Sequence, residues 1–351
     1  MVLDCRWLPI GGPGRTTELL LRGLAAGAAP EDWALWGPPA ASRLAWPGAT
    51  VVPITHDPRL GLGQRHARAM PHARLAVFMH QQRPLRSGPA ITMVYDTIAL
   101  RYGTNPVVRR LKRAFLARVA ATSRRILTIS EHSRASIIAD LGVAPERIDV
   151  LRFPFDDAFV DRVLLQRQSA PPEPVALYVG GFLPHKNLPR LLTAFGTTQF
   201  CRDGGRLTLV GGTAAQVREL WRGANPEAHR YLTVLPSCTQ ADLDHLFATS
   251  QFLVQPSLEE GFGLPAWEAM CCGLPVCASD GGSLPEVVGA TVAPFPAEDT
   301  AAMAAAIDAC AGGGRQGAGA AAAASDRLRA TAPTVAQFGA QFRGIVEANV
   351  P

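Results

Sequence analysis

Short β-branched runs alternate with helical patterns along most of the chain, and this alternation constrains the fold more than any other feature. The runs 91-ITMVYD, 126-ILTIS, 175-VALYVGG, 207-LTLVGG, 231-YLTVLP, 252-FLVQPS and 274-LPVCAS are separated by helical stretches of about 10 to 15 residues. Strands joined through helices pair in parallel, because a parallel connection must return across the sheet and a helix makes that crossover. The class is therefore α/β. With 351 residues, 48% of them apolar, the chain is long enough to bury two cores. The stretch from Asp156 onward ends in the proline-rich 170-APPEP and precedes a fresh strand, which marks a linker. The expected division is a first domain over 1–156, a linker over 157–174, a second domain over 175–333 and a closing segment over 334–351. In that segment Phe338, Phe342, Ile345 and Val346 share one face of a helix suited to packing on a domain surface. The Ala/Gly stretch 311–324 suits a plain surface helix or a loop and carries no chemistry.

Charge is unevenly placed. The net charge is +5, with +9 in residues 1–160 and −4 in the remainder. A basic first half attracts nucleic acid, anionic lipid or a phosphorylated acceptor without choosing among them. Part of it lies in 107-VVRRLKRAFLARVA. There Val108, Leu111, Phe115 and Val119 are expected to face the core while Arg109, Lys112, Arg113 and Arg118 form a basic outer face. A sharper reading sets that face on an anionic lipid surface that carries the acceptor. No run approaches the roughly 20 apolar residues of a bilayer span. Met1 to Ile10 carries Asp4 and Arg6 where a signal peptide needs an apolar run, so a cytoplasmic protein is expected, soluble or peripheral at the inner face of the plasma membrane. Seven cysteines without paired spacing read as reduced, buried residues rather than a zinc site or disulfide framework.

The most informative stretch is 252-FLVQPSLEEGFGLPAWEAMCCGLPVCASDGGSLPEVVG, which reads as strand, loop, helix, strand, loop, helix. Pro265 suits the first turn of the helix and Gly273 its C′ position. Gly261 and Gly263 let the backbone approach a ligand just where the helix presents free amides to an anion. Glu260 in the loop and Glu268 inside the helix can face one crevice at the carboxyl end of a parallel strand, where open α/β sheets bind ligands. A carboxylate has two acceptor oxygens and fits a vicinal diol of a sugar edge. Two acidic clusters have plainer readings. Ser283 and Glu286 look like a capping box, as do Thr239 and Asp242, and this argues against a metal at Asp242 and Asp244. Lysine occurs only at 112 and 186, against 32 arginines, so each lysine invites a specific explanation.

The spacing Glu260-GFGLPAW-Glu268 resembles the E-x7-E signature of the family-4 retaining glycosyltransferases, in the style of bacterial mannosyltransferases of surface-polysaccharide assembly. The resemblance implies the GT-B architecture, two Rossmann-like domains with parallel sheets facing each other across a cleft, and transfer of a hexosyl group without metal or other cofactor. The donor it implies is GDP-mannose or a UDP-sugar; the acceptor is a saccharide or lipid-linked saccharide, and nucleic acid is not a partner. In that family the residue matching Glu268 holds the ribose, and the residue matching Glu260 lies beside the donor sugar with the amides of Gly261, Phe262, Gly263 and Leu264. The segment 177-LYVGGFLPHKNLPRLLTAF is similar to the stretch carrying a basic pair for the donor diphosphate. Lys186 takes the lysine position, but Gly181 stands where many relatives have arginine. The opening run Gly11, Gly12, Pro13 and Gly14 resembles a first loop whose amides meet phosphate or acceptor. Likewise 76-AVFMHQQRPL and 93-MVYDTIALRY resemble segments bearing His80 and Asp96 on the acceptor side. Two other functions fit the same fold, a nucleotide-sugar epimerase or hydrolase and a sugar-nucleotide-binding relative without catalysis.

Overall fold

The computed structural model describes residues 1–351 apart from 9, 40–41, 43–44, 55–72, 86–87, 103–104 and 221–229. The chain divides into two compact units, Met1–Phe155 with Ala332–Pro351, and Asp156–Thr331.

The first unit holds β1 (Val2–Asp4), β2 (Ala34–Gly37), β3 (Thr50–Pro53), β4 (Ala76–Phe78), β5 (Ala90–Met93), β6 (Arg125–Thr128) and β7 (Ile148–Val150). They form one sheet in the order β3-β2-β1-β4-β5-β6-β7, with every pairing parallel. The order reverses between β1 and β4, and this leaves a crevice beyond their carboxyl ends. The helices are α1 (Gly11–Ala25), α2 (Pro106–Ala121), α3 (Glu131–Leu141) and, at the far end of the chain, α13 (Val335–Glu347). Phe338, Phe342 and Val346 of α13 are buried, as their spacing predicts. Its axis closes on α1 through glycine: a Cβ on Gly339 would fall 2.2 Å from the carbonyl carbon of Gly23.

The face expected to anchor α2 in the core is corrected. Leu116, Val119 and Ala120 are buried, while Val108 and Leu111 are 44% and 66% exposed. Only the last turns of the helix reach the cluster that includes Val94, Ile126 and Ile137. The apolar repeat in its first turns therefore stays largely at the surface.

The second unit holds β8 (Glu173–Val179), β9 (Arg206–Val210), β10 (Leu232–Leu235), β11 (Ser250–Gln255) and β12 (Val276–Ala278). These too are parallel throughout, in the order β10-β9-β8-β11-β12. Around them lie α4 (Asp157–Ser169), α5 (Leu188–Phe195), α6 (Gln199–Arg202), α7 (Ala214–Leu220), α8 (Gln240–Thr249), α9 (Leu264–Cys271), α10 (Leu284–Val288), α11 (Thr300–Gly312) and α12 (Gly314–Thr331). Tyr178, Leu191, Phe195, Leu209, Phe252 and Met303 meet in the core. The stretch expected as a linker is mostly α4, which buries Phe159, Val160 and Val163. Phe159 meets Phe247 of α8 edge-on with ring centroids 5.6 Å apart, and Arg162 Nε donates to Asp244 Oδ2 at 2.7 Å. The prolines after Ser169 end this helix instead of marking a free tether. The Ala/Gly stretch is helical across the end of α11 and the start of α12.

Candidate functional site

In the second unit the strand order reverses between β8 and β11, so the loops leaving these two strands flank the crevice. The β8 loop carries Lys186 and the β11 loop carries Glu260. Lys186 Nζ donates to both carboxylate oxygens of Glu260, at 2.7 Å to Oε1 and 2.8 Å to Oε2. Glu260 Oε1 also accepts from Gln255 Nε2 and Ser257 Oγ, each at 2.6 Å. Burial by itself would raise the Glu260 pKa. The Lys186 charge and the hydrogen bonds from Lys186 and Ser257 outweigh it and hold the carboxyl below its ordinary range. His185, next to Lys186, is pushed down by burial and then by the Lys186 charge.

Asn187 sews these two loops together. It has a left-handed backbone, with φ at 61°, and its side-chain amide donates to Pro256 O at 2.9 Å and to Ala297 O at 2.7 Å. Leu258 N donates to His185 O at 2.7 Å, and Arg190 Nη1 donates to Asn187 Oδ1 at 3.1 Å. Arg190 is thus engaged in holding Asn187. Gly181 is open: a Cβ there would meet no atom within 4 Å.

From Gly263, which has φ of 88° and caps no amide with a side chain, α9 begins with Pro265 in its first turn and no acid there. Gly273 follows it with φ of 66°, as a C′ glycine should. The amides at the start of α9 thus lie just beyond Gly261 and Phe262, with the ring of Phe262 5.7 Å from that of Trp267. Glu268 is the fifth residue of the helix and half-buried. The loop after β12 supports this arrangement from behind. Ser283 makes no cap hydrogen bond; its Oγ and its N each donate to Glu260 O at 3.1 Å. The expected Ser283–Glu286 capping box is therefore corrected, since Ser283 is drawn to a carbonyl 23 residues upstream. Gly282 has φ of 65°, and a Cβ there would come within 2.5 Å of Glu260 N and O, so only glycine allows the two loops to touch.

The other box is present: Thr239 and Asp242 satisfy each other's backbone amides. Asp244 accepts from Arg162 and Gln240. Among the described residues no three His, Cys, Asp or Glu side chains converge on a point. All seven cysteines are free, and five of them are buried.

In the first unit the candidates follow β1, β4 and β5, adjacent strands of the sheet. The run Gly11 to Gly14, expected as a loop, is the first turn of α1. Its N-cap Ile10 supplies no side-chain cap, and no acid lies in that turn; Gly14 N already donates to Ile10 O and Pro13 has no amide hydrogen, so only the amides of Gly11 and Gly12 remain at this helix terminus. Thr16 and Thr17 donate back to Gly12 O and Pro13 O. His80 lies against Trp7 with ring centroids 3.9 Å apart, and its Nδ1 accepts from Gln82 N at 3.1 Å. Burial, and then the nearby Arg6, lower its pKa to about 3. Asp96 Oδ1 accepts from Ile98 N at 3.0 Å, which gives it a turn-forming role.

Each unit is thus a parallel α/β sheet with a switch point, and in the second unit the Lys186–Glu260 ion pair joins the two loops at that point. Residues 164–311, within the second unit, match the family model of the group 1 glycosyl transferases. The chain is 35% identical over 179 residues to the O-antigen chain mannosyltransferase B of Escherichia coli, covering 48% of this chain and 46% of that protein. It is 31% identical over 202 residues to an MMP alpha-(1->4)-mannosyltransferase of Mycolicibacterium hassiacum, covering 55% and 46%. The alignment thus spans about half the length of these relatives. In fold it is similar to Anabaena HepE in complex with UDP-glucose, with a TM-score of 0.72 and 16% identity over 99% of both chains.

Gln255, Ser257 and Asn187 carry no motif and are missed by sequence reasoning. The one signal is a glutamine and a serine at the carboxyl end of an otherwise apolar strand run.

Proposed function

We propose that this protein is a retaining glycosyltransferase that moves a hexosyl group, mannosyl by its resemblance to O-antigen enzymes, from a nucleotide sugar to a saccharide or lipid-linked saccharide. The observation that carries the reading is the Lys186–Glu260 pair at the β8/β11 switch point, beside the uncapped start of α9. A departing nucleoside diphosphate gathers negative charge, and preorganised positive groups stabilise it without reorganising. Here those groups are the Lys186 ammonium and the amides of Gly261, Gly263 and the first turn of α9. Glu260 keeps the ammonium in place. Its Oε1 has three donors and its Oε2 one, so Oε2 retains an acceptor position for a sugar hydroxyl. Glu268 takes the ribose diol. No side chain is assigned as a covalent nucleophile, in keeping with front-face attack by the acceptor. GDP-mannose is the proposed donor; a UDP-sugar satisfies the same contacts. His80 and the start of α1 are assigned to the acceptor or sugar side.

Incubation with donor labelled in the sugar tests the reading. Label in a larger product supports transfer. Label in altered free sugar indicates an epimerase or hydrolase, and unchanged donor indicates a binding protein. In a thermal-shift panel of nucleotide sugars, a donor-specific rise absent from Glu268→Ala identifies the donor.

A further inference from the structure

We infer that the amino-terminal half of α2 is a docking face for an anionic lipid bilayer. This rests on the surface of the first unit and stands independently of the donor reading. Val107 and Leu111 are 62% and 66% exposed. With Ala114, also exposed, they follow the i, i+4, i+7 spacing that aligns side chains on one helix face. That face lies opposite Leu116, Val119 and Ala120, the residues α2 buries. Apolar side chains therefore point outward on purpose-built secondary structure. Pro106 opens the helix, and the Asn105 side chain accepts from Val107 N and Val108 N, so the first turn is formed without being packed.

Charge identifies the occupant. No acid occurs between Asp96 and Glu131. Arg101 and Arg113 are engaged with Asp140, but Arg109, Arg110, Lys112 and Arg118 have no acidic partner among the described residues. A ridge of valine, leucine and alanine flanked on the helix by the exposed Arg110 and Arg118 matches the interface of a bilayer. Apolar side chains enter the acyl boundary there while basic ones meet the headgroups. Each cation brought onto an anionic surface adds roughly fivefold to partitioning. A protein partner of ordinary composition offers no reason for an acid-free border.

Flotation of the full chain with phosphatidylcholine vesicles, with and without phosphatidylglycerol, tests this. Wild type should float with the anionic vesicles and stay behind with the neutral ones. Leu111→Asp, and separately Arg110→Glu combined with Arg118→Glu, should each cut the bound fraction by roughly tenfold or more. All of these side chains are exposed, so thermal midpoint and nucleoside-diphosphate affinity should stay at wild-type values. Equal binding to both vesicle types, no binding, or variants that float like wild type would each overturn the inference. So would a dimer in solution that Leu111→Asp dissociates, which would assign the face to a second copy of the chain.

Discussion

Lys186 and Glu260 lie 74 positions apart in sequence, yet the ammonium of one donates to both carboxylate oxygens of the other. The pair joins the two strands between which the sheet reverses, so its integrity decides whether a cation waits at the ligand crevice. Glu260→Gln keeps the size and one acceptor oxygen while removing the charge that holds Lys186. We expect kcat/KM to fall by about 10²- to 10³-fold and the thermal midpoint at neutral pH to fall with it. The carboxyl lies below its ordinary 4.5 when folded. A group depressed on folding stabilises above its unfolded value and loses that contribution as pH falls through the folded one. The advantage of wild type over Glu260→Gln should thus be full above pH 4.5 and shrink in more acidic buffer. Equal midpoints at neutral pH would show that the pair holds nothing in place.

Asn187 combines two demands that no other side chain meets together, a left-handed backbone and two hydrogen bonds to buried carbonyls. Asn187→Ala loses both bonds and must strain its Cβ, a cost of about 3 kcal/mol. Asn187→Gly loses the bonds and keeps the conformation at a cost of about 2 kcal/mol. Calorimetry of the three proteins should therefore rank wild type above glycine and glycine above alanine. If alanine proved the more stable variant, backbone strain would not be part of its role.

The features read correctly from sequence are those whose cause is local. Pro265 and Gly273 bound α9 because a proline without an amide hydrogen starts a helix and a glycine in the left-handed region ends one. Thr239 caps α8 across three residues. The readings that failed depend on distant partners. Ser283 has the local pattern of a cap, but Glu260 O takes its hydroxyl. Val108 and Leu111 have the periodicity of a core face, which says that a helix is two-sided without saying what covers each side. Asn187 reaches carbonyls 69 and 110 positions away, and nothing in the segment around it announces either one.

His80 should make the protein sensitive to acid. Its pKa falls from 6.5 to about 3 because burial, and then Arg6, disfavour the imidazolium. Between those values the unfolded chain takes up a proton that the folded chain refuses, so stability falls as pH falls through this window. By pH 5 the loss is about 2 kcal/mol. His80→Gln cannot titrate, so the difference between its denaturation midpoints at pH 7 and pH 5 should be smaller than that of wild type. Parallel pH profiles would mean that the ring is protonated in the folded state.

Gly181 offers a gain-of-function test of the proposed diphosphate site. The glycosyltransferases that this segment resembles often have arginine here, and the space is open, since a Cβ would meet nothing within 4 Å. Gly181→Arg should supply a second cation next to the loop of Lys186 without disturbing its packing. One charge-assisted hydrogen bond to phosphate contributes about 1.5 kcal/mol, roughly a tenfold gain in affinity. Titration calorimetry with GDP and UDP should show that gain for the diphosphates and little for guanosine or uridine, which lack the anion. If nucleoside and diphosphate gained equally, the arginine would be meeting the base or the ribose and the phosphate assignment for this loop would fall. If only the diphosphates gained, and Lys186→Ala cancelled most of the improvement, the two cations would be acting on the same group.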